Sequence, residues 1–77
     1  MEVEIYGTEQ CLYCKLAVKF CVENGLLHTY KDVTTDEALI ENLKERLGYV
    51  KTVPQIFVDG EHIGGYADLV NYSEVAA

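Results

Sequence analysis

Val3-Glu4-Ile5-Tyr6-Gly7-Thr8-Glu9-Gln10-Cys11-Leu12-Tyr13-Cys14 is the stretch on which the fold turns: an alternating apolar run leads into two cysteines two residues apart. Two thiols at that spacing can close a disulfide, share a metal, or divide attack and resolution between them. A strand ending near Tyr6 and a helix starting at Cys11 would place the first sulfur over the helix N-terminus. The partial positive charge there favours the thiolate, which is the attacking form. The stretch therefore points to thiol–disulfide chemistry carried on a strand–loop–helix unit.

The surrounding chain continues the pattern. Glu2 to Tyr6 alternates with Val3 and Ile5 on one face, a strand signal. From Cys11 to Asn24, Lys15, Lys19 and Glu23 recur every four positions while Leu16, Ala17, Phe20 and Cys21 fall opposite, so an amphipathic helix is expected with Gly25 as its stop. His28 to Val33 reads as a second strand. Thr34 with Glu37 forms a candidate capping box for a helix that turns Leu39, Ile40, Leu43 and Leu47 inward and ends at Gly48. Gln55 to Val58 is a third strand, Asp59-Gly60 a two-residue hairpin turn, and Glu61-His62-Ile63 its antiparallel partner. Gly64-Gly65 breaks that strand, and Tyr66 to about Val75 reads as a last helix.

The expected fold class is thus α/β, a four-stranded mixed sheet flanked by three helices in the order βαβαββα. A right-handed crossover makes the first two strands parallel neighbours. This order resembles the thioredoxin-like arrangement, in which a CxxC pair near a βαβ unit is the redox motif.

Bulk properties restrict the function classes. Seventy-seven residues, 1–77, are expected to form one small domain, and about half are apolar, enough for a compact core. Three cysteines with one close pair do not make a secreted disulfide scaffold, so a reducing, cytoplasmic setting is expected. No apolar run approaches the ~20 residues of a membrane span, and the acidic start is no signal peptide. A formal charge of −7 with no basic patch argues against nucleic-acid binding.

Three segments carry the chemistry. In the first, Cys11 in the first turn is the expected nucleophile and Cys14, one turn in and more buried, the resolving thiol. The competing reading, half of a zinc site, has only Cys21, His28 and His62 to complete it; Cys21 sits on the apolar helix face and reads as an inert core thiol. No metal site is expected. In the second, Thr52-Val53-Pro54 precedes a sheet strand. A cis Val53–Pro54 bond would leave Val53 backbone groups outward for an extended, peptide-like substrate, although from the triplet alone an ordinary proline turn is preferred. In the third, Gly64-Gly65 before a helix lets a ligand approach backbone N–H donors, and Asp68 could accept from an ammonium. A helix-start acid stabilised by the dipole is the plainer account of Asp68.

Taken jointly, Cys11-Leu12-Tyr13-Cys14, Thr52-Val53-Pro54-Gln55-Ile56-Phe57 and His62-Ile63-Gly64-Gly65-Tyr66-Ala67-Asp68-Leu69 resemble the small dithiol glutaredoxins in order and spacing. The resemblance covers nearly the whole chain. It implies a glutathione-dependent disulfide oxidoreductase, with glutathione as co-substrate and disulfide-containing proteins, ribonucleotide reductase among them, as partners of a monomer. By that resemblance Cys11 carries the glutathionyl group, Tyr13 flanks the groove and Thr52 lines it. Val53, beside a cis Pro54, pairs its backbone with the cysteinyl part of glutathione, and Gly65, Tyr66, Ala67 and Asp68 receive the γ-glutamyl end. Two departures stand out: Leu12 replaces the family's usual proline, and Thr8 stands where many relatives carry a basic residue. Lys15, Lys44, Arg46 and Lys51 are the remaining candidates for the glycyl carboxylate. Competing functions are a redoxin served by thioredoxin reductase, a carrier in which two Cys11 thiolates and two glutathiones hold a [2Fe–2S] cluster, and a plain binding module with an incidental cysteine pair.

Overall fold

A computed structural model describes residues 1–48 and 52–76. Its elements are β1 (Glu2–Gly7), α1 (Leu12–Glu23), β2 (Leu27–Asp32), α2 (Glu37–Leu47), β3 (Gln55–Val58), β4 (Glu61–Gly64) and α3 (Tyr66–Ala76), the expected βαβαββα order. They build one sheet with strand order β2-β1-β3-β4. β1 pairs parallel with β2, from Glu2 opposite Leu27 to Gly7 opposite Asp32, and antiparallel with β3, Tyr6 opposite Gln55. β3 continues antiparallel into β4 through Asp59 (φ 51°) and Gly60 (φ 85°), the two positive φ values that a tight type I′ hairpin needs.

The central strand departs from the one-sided reading of its alternation. Val3 and Ile5 pack with Ala17, Cys21, Ile56, Val58 and Leu69 on one face. On the other face Tyr6 is fully buried with Leu43 and Phe57 under α2. A crossover helix covers each face of a parallel pair, so both sides of β1 are interior. Each large side chain buried this way contributes roughly 2 kcal/mol.

Local chemistry sets the helix ends. α1 begins one residue later than expected, because Cys11 is its N-cap with extended backbone (φ −92°, ψ 112°). It ends in a Schellman motif: Gly25 (φ 63°) donates to Val22 O and Leu26 N donates to Cys21 O. α2 corrects the expected capping box. Its N-cap is Asp36, whose Oδ1 accepts from Ala38 N at 3.0 Å and Leu39 N at 3.3 Å. Thr34 lies outside the helix and donates its own N–H to Asp32 Oδ1 at 2.7 Å. The capping contacts come from the acid adjoining the first turn. Gly48, with φ 77°, ends α2 as read from the sequence. No helix among the described residues is long and apolar enough to cross a membrane.

The register brings three loops to one end of the sheet. The C-terminal end of β1, the N-terminal end of β3 and the C-terminal end of β4 lie side by side, since Tyr6 pairs with Gln55 and Ile56 with Gly64. Cys11, Val53-Pro54 and Gly65 are therefore gathered there.

Candidate active site

Cys11 and Cys14 form a disulfide with Cα atoms 5.2 Å apart. Cys14 is fully buried and Cys11 half-buried, because the first turn of α1 turns residue 14 onto the sheet and leaves residue 11 at the rim. The Cys14 N–H donates to Cys11 Sγ at 3.1 Å. That amide belongs to the first turn of α1, where backbone donors have no carbonyl partner within the helix. A charge-assisted bond from such a donor stabilises negative sulfur in the reduced state. Leu12 and Tyr13 between the cysteines are 65% and 59% exposed, forming an apolar lip beside the sulfurs.

Room for the inner sulfur comes from a residue whose role the sequence did not reveal. A β-carbon on Gly7 would sit 2.5 Å from Cys14 Sγ and 2.7 Å from Tyr30 Oη. The Tyr30 hydroxyl itself donates to Thr8 O at 2.7 Å, tying the loop before Cys11 to β2. A glycine at the end of the strand leading into CxxC was visible; the sulfur against it was not.

The other expected residues converge on Cys11 from two sides. Val53 O lies 3.8 Å from Cys11 Sγ, and the Val53–Pro54 peptide is cis, the condition on which the substrate-pairing reading of this triplet depends. Thr52 is exposed at the start of this loop, and its carbonyl and hydroxyl oxygens both accept from Gln55 Nε2, at 2.8 and 3.4 Å. The Tyr13 and Tyr66 rings approach to 6.1 Å between centroids. Gly65 faces Pro54 O, which a β-carbon there would approach to 3.9 Å. The Gly65 N–H donates to Asp68 Oδ2 at 2.9 Å, so the Asp68 carboxylate reaches back to the residue that precedes α3. Asp68 and Ala67 stand exposed on the first turn of α3, where backbone N–H groups have no partner within the helix. Gly64 adopts φ 123°, and a side chain there would run into the Asp68 carboxylate.

The basic candidates fare less well. Arg46 is committed to the opposite side of the sheet, where Nη1 donates to Glu4 Oε2 at 3.1 Å and to Tyr6 Oη at 3.0 Å. Lys15 lines a separate groove of about 450 Å³ with Thr8, Glu9, Val18 and Tyr30. Lys44 is exposed in the last turn of α2, and Lys51 lies outside the described residues. Cys21 is buried in the core, and burial pushes its thiol up, making it a poor nucleophile. Among the described residues no group of three or more His, Cys, Asp or Glu side chains gathers as a metal site.

Comparison with known proteins gives this geometry its family. A family model described as glutaredoxin matches residues 3–63. Glutaredoxin 1 of Escherichia coli is 40% identical over 74 residues, covering 88% of this chain and 87% of the relative. The solved structure of reduced Escherichia coli glutaredoxin superposes with TM-score 0.73 at 36% identity, covering all of both chains. A buckwheat glutaredoxin solved as a glutathione complex shares the fold at TM-score 0.78, with 22% identity over 96% of this chain and 69% of that one. With a buried and a rim cysteine joined in a CxxC disulfide on this scaffold, the chain belongs to the glutaredoxin family of glutathione-dependent thiol–disulfide oxidoreductases.

Proposed function

We propose that Cys11 is the attacking thiolate, Cys14 the resolving thiol, and the groove between Tyr13, Thr52-Val53-Pro54 and Gly65-Tyr66-Ala67-Asp68 the glutathione site. The observation that carries this reading is the unequal exposure of the two sulfurs. Cys14 is sealed in the core, while Cys11 sits at the rim beside the Val53 carbonyl and receives the Cys14 N–H. With a glutathione mixed disulfide, Cys11 thiolate attacks the glutathione sulfur, forming Cys11–S–S–glutathione and releasing the substrate thiolate. A second glutathione thiolate then attacks that sulfur, yielding glutathione disulfide and free Cys11. With a protein disulfide, Cys11 forms a mixed disulfide with one substrate sulfur and expels the other. Cys14 loses its proton, attacks Cys11 and expels the second, leaving the Cys11–Cys14 disulfide seen here.

In the groove, Val53 backbone groups pair with the cysteinyl residue of glutathione, and the Tyr13 and Tyr66 rings flank the tripeptide. The first N–H groups of α3 receive the γ-glutamyl carboxylate, and Asp68 accepts from its ammonium. The buckwheat neighbour supports the choice of ligand, since its related fold was solved with glutathione bound. The proposed setting is the cytoplasm, where residues 1–77 act as a one-domain monomer on disulfide-containing proteins such as ribonucleotide reductase.

Turnover of a glutathionylated peptide, coupled to glutathione reductase, tests the division of labour. Cys11→Ser should abolish it. Cys14→Ser should retain it and lose only protein-disulfide reduction. A Cys14→Ser protein inactive on the mixed disulfide would reverse the assignment.

A further inference from the structure

The side chains of His62, Gln55 and Thr52 form a continuous hydrogen-bonded line that ends on the peptide group carrying the Val53 N–H. Gln55 Nε2 donates to Thr52 O at 2.8 Å and approaches Thr52 Oγ1 at 3.4 Å. A carbonyl oxygen can only accept, so the amide nitrogen must face Thr52. The Gln55 carbonyl oxygen is then left for His62, whose Nε2 lies 2.8 Å away. That oxygen also only accepts, so His62 Nε2 must carry hydrogen and act as the donor. The β3–β4 register holds the ring in place, with His62 opposite Phe57, ring centroids 5.1 Å apart, and diagonal to Gln55.

The end of the line matters because Thr52 O and Val53 N–H share one trans peptide unit, the only cis bond among the described residues being Val53–Pro54. In a trans peptide the C=O and N–H point in opposite directions. Fixing the oxygen on the Gln55 side therefore aims the Val53 N–H to the other side. Pro54 has no N–H of its own, so this amide is the last backbone donor before β3.

We infer that His62 is a positioning residue for the co-substrate site, orienting the Gln55 amide so that Thr52–Val53 presents its N–H to the bound thiol tripeptide. This inference rests on the glutathione groove proposed above. His62 touches neither sulfur, so its loss should change substrate affinity with little change in the chemical step.

The experiment measures KM and kcat for a glutathionylated peptide across a set of variants. His62→Phe keeps the aromatic contact with Phe57 and removes the donor. It should raise KM about three- to tenfold, the size of one lost neutral hydrogen bond, and leave kcat within about twofold. His62→Gln restores an amide donor and should return KM to within about twofold of the parent, whereas His62→Glu, an acceptor only, should not. In a Gln55→Leu background His62→Phe should have no further effect, because its route to Thr52 has gone. An unchanged KM for His62→Phe, a His62→Gln protein as impaired as His62→Phe, or additive effects in the Gln55→Leu background would each overturn the inference. Asp68→Ala separates the two levels. If it raises KM while His62→Phe does not, the groove stands and the positioning role falls. If Asp68→Ala also leaves KM unchanged, the groove itself is wrong and the inference goes with it.

Discussion

Gly7 shows how much can depend on one absent carbon. Its would-be β-carbon position is bounded by Cys14 Sγ and Tyr30 Oη, so the inner sulfur occupies space that any other residue would claim. Gly7→Ala should destabilise the protein by about 1–3 kcal/mol through overpacking, read from urea unfolding. It should also impair protein-disulfide reduction more than turnover of a glutathione mixed disulfide, which needs only Cys11. Wild-type-like unfolding would show that the Tyr30 ring yields instead. Leu12 presents the opposite case. It is the first helical residue, where the family's proline costs no hydrogen bond because the N–H there is unpaired anyway. Leucine keeps that donor and leaves its side chain largely in solvent. Both cysteines were legible from spacing alone; Gly7 was not, since its partners Cys14 and Tyr30 meet it only in the folded sheet.

At the level of elements, the order and kind of all seven were legible, because periods of 2 and 3.6 and the Asp59-Gly60 turn act within a few residues. The ends were harder. Thr34 and Glu37 satisfy a capping-box spacing, but Asp32 takes the Thr34 N–H and Asp36 caps the helix. Which of several neighbouring polar side chains wins an N-cap depends on the local backbone path, which spacing does not encode. Asp36→Ala should therefore cost about 1 kcal/mol, measured by urea unfolding, and Thr34→Ala should cost clearly less. The reverse order would restore Thr34 as the cap.

Across the whole molecule, α2 is fastened to the sheet by charge as well as by Leu43. Glu4 on the central strand receives Lys31 from β2 at 2.8 Å and Arg46 from α2 at 3.1 Å. The Arg46 guanidinium also lies 3.7 Å from the Phe57 ring centroid, and Tyr6 Oη donates to Asn42 Oδ1 at 2.6 Å. The Arg46 and Lys31 hydrogen bonds hold the Glu4 carboxyl below its usual value of 4.5, although partial burial opposes them. A carboxyl whose pKa is depressed by folding contributes stability that is fully present above its unfolded value and lost as pH falls through its folded one. Stability should therefore drop on acidification below about pH 4.5. Glu4→Gln should lower stability at neutral pH by about 1 kcal/mol and flatten that acid limb, followed by thermal unfolding across pH 3–7. An acid limb of unchanged steepness in Glu4→Gln would place the titration elsewhere among the thirteen acidic residues. Arg46, a candidate anion binder from composition, is spent on this network because helix packing brings residue 46 over residue 4.

What the sequence determined by itself is the set of local facts: the CxxC pair, the strand and helix order, the hairpin, and three segments whose joint spacing marks a glutaredoxin. Such facts follow from side-chain periodicity and turn chemistry, which operate over a few residues. Only the tertiary structure decided that Gly7 makes room for the Cys14 sulfur and that His62 reaches the Thr52–Val53 peptide through Gln55. These contacts join residues far apart along the chain, so they exist only once strand register and helix packing have fixed where each side chain lies.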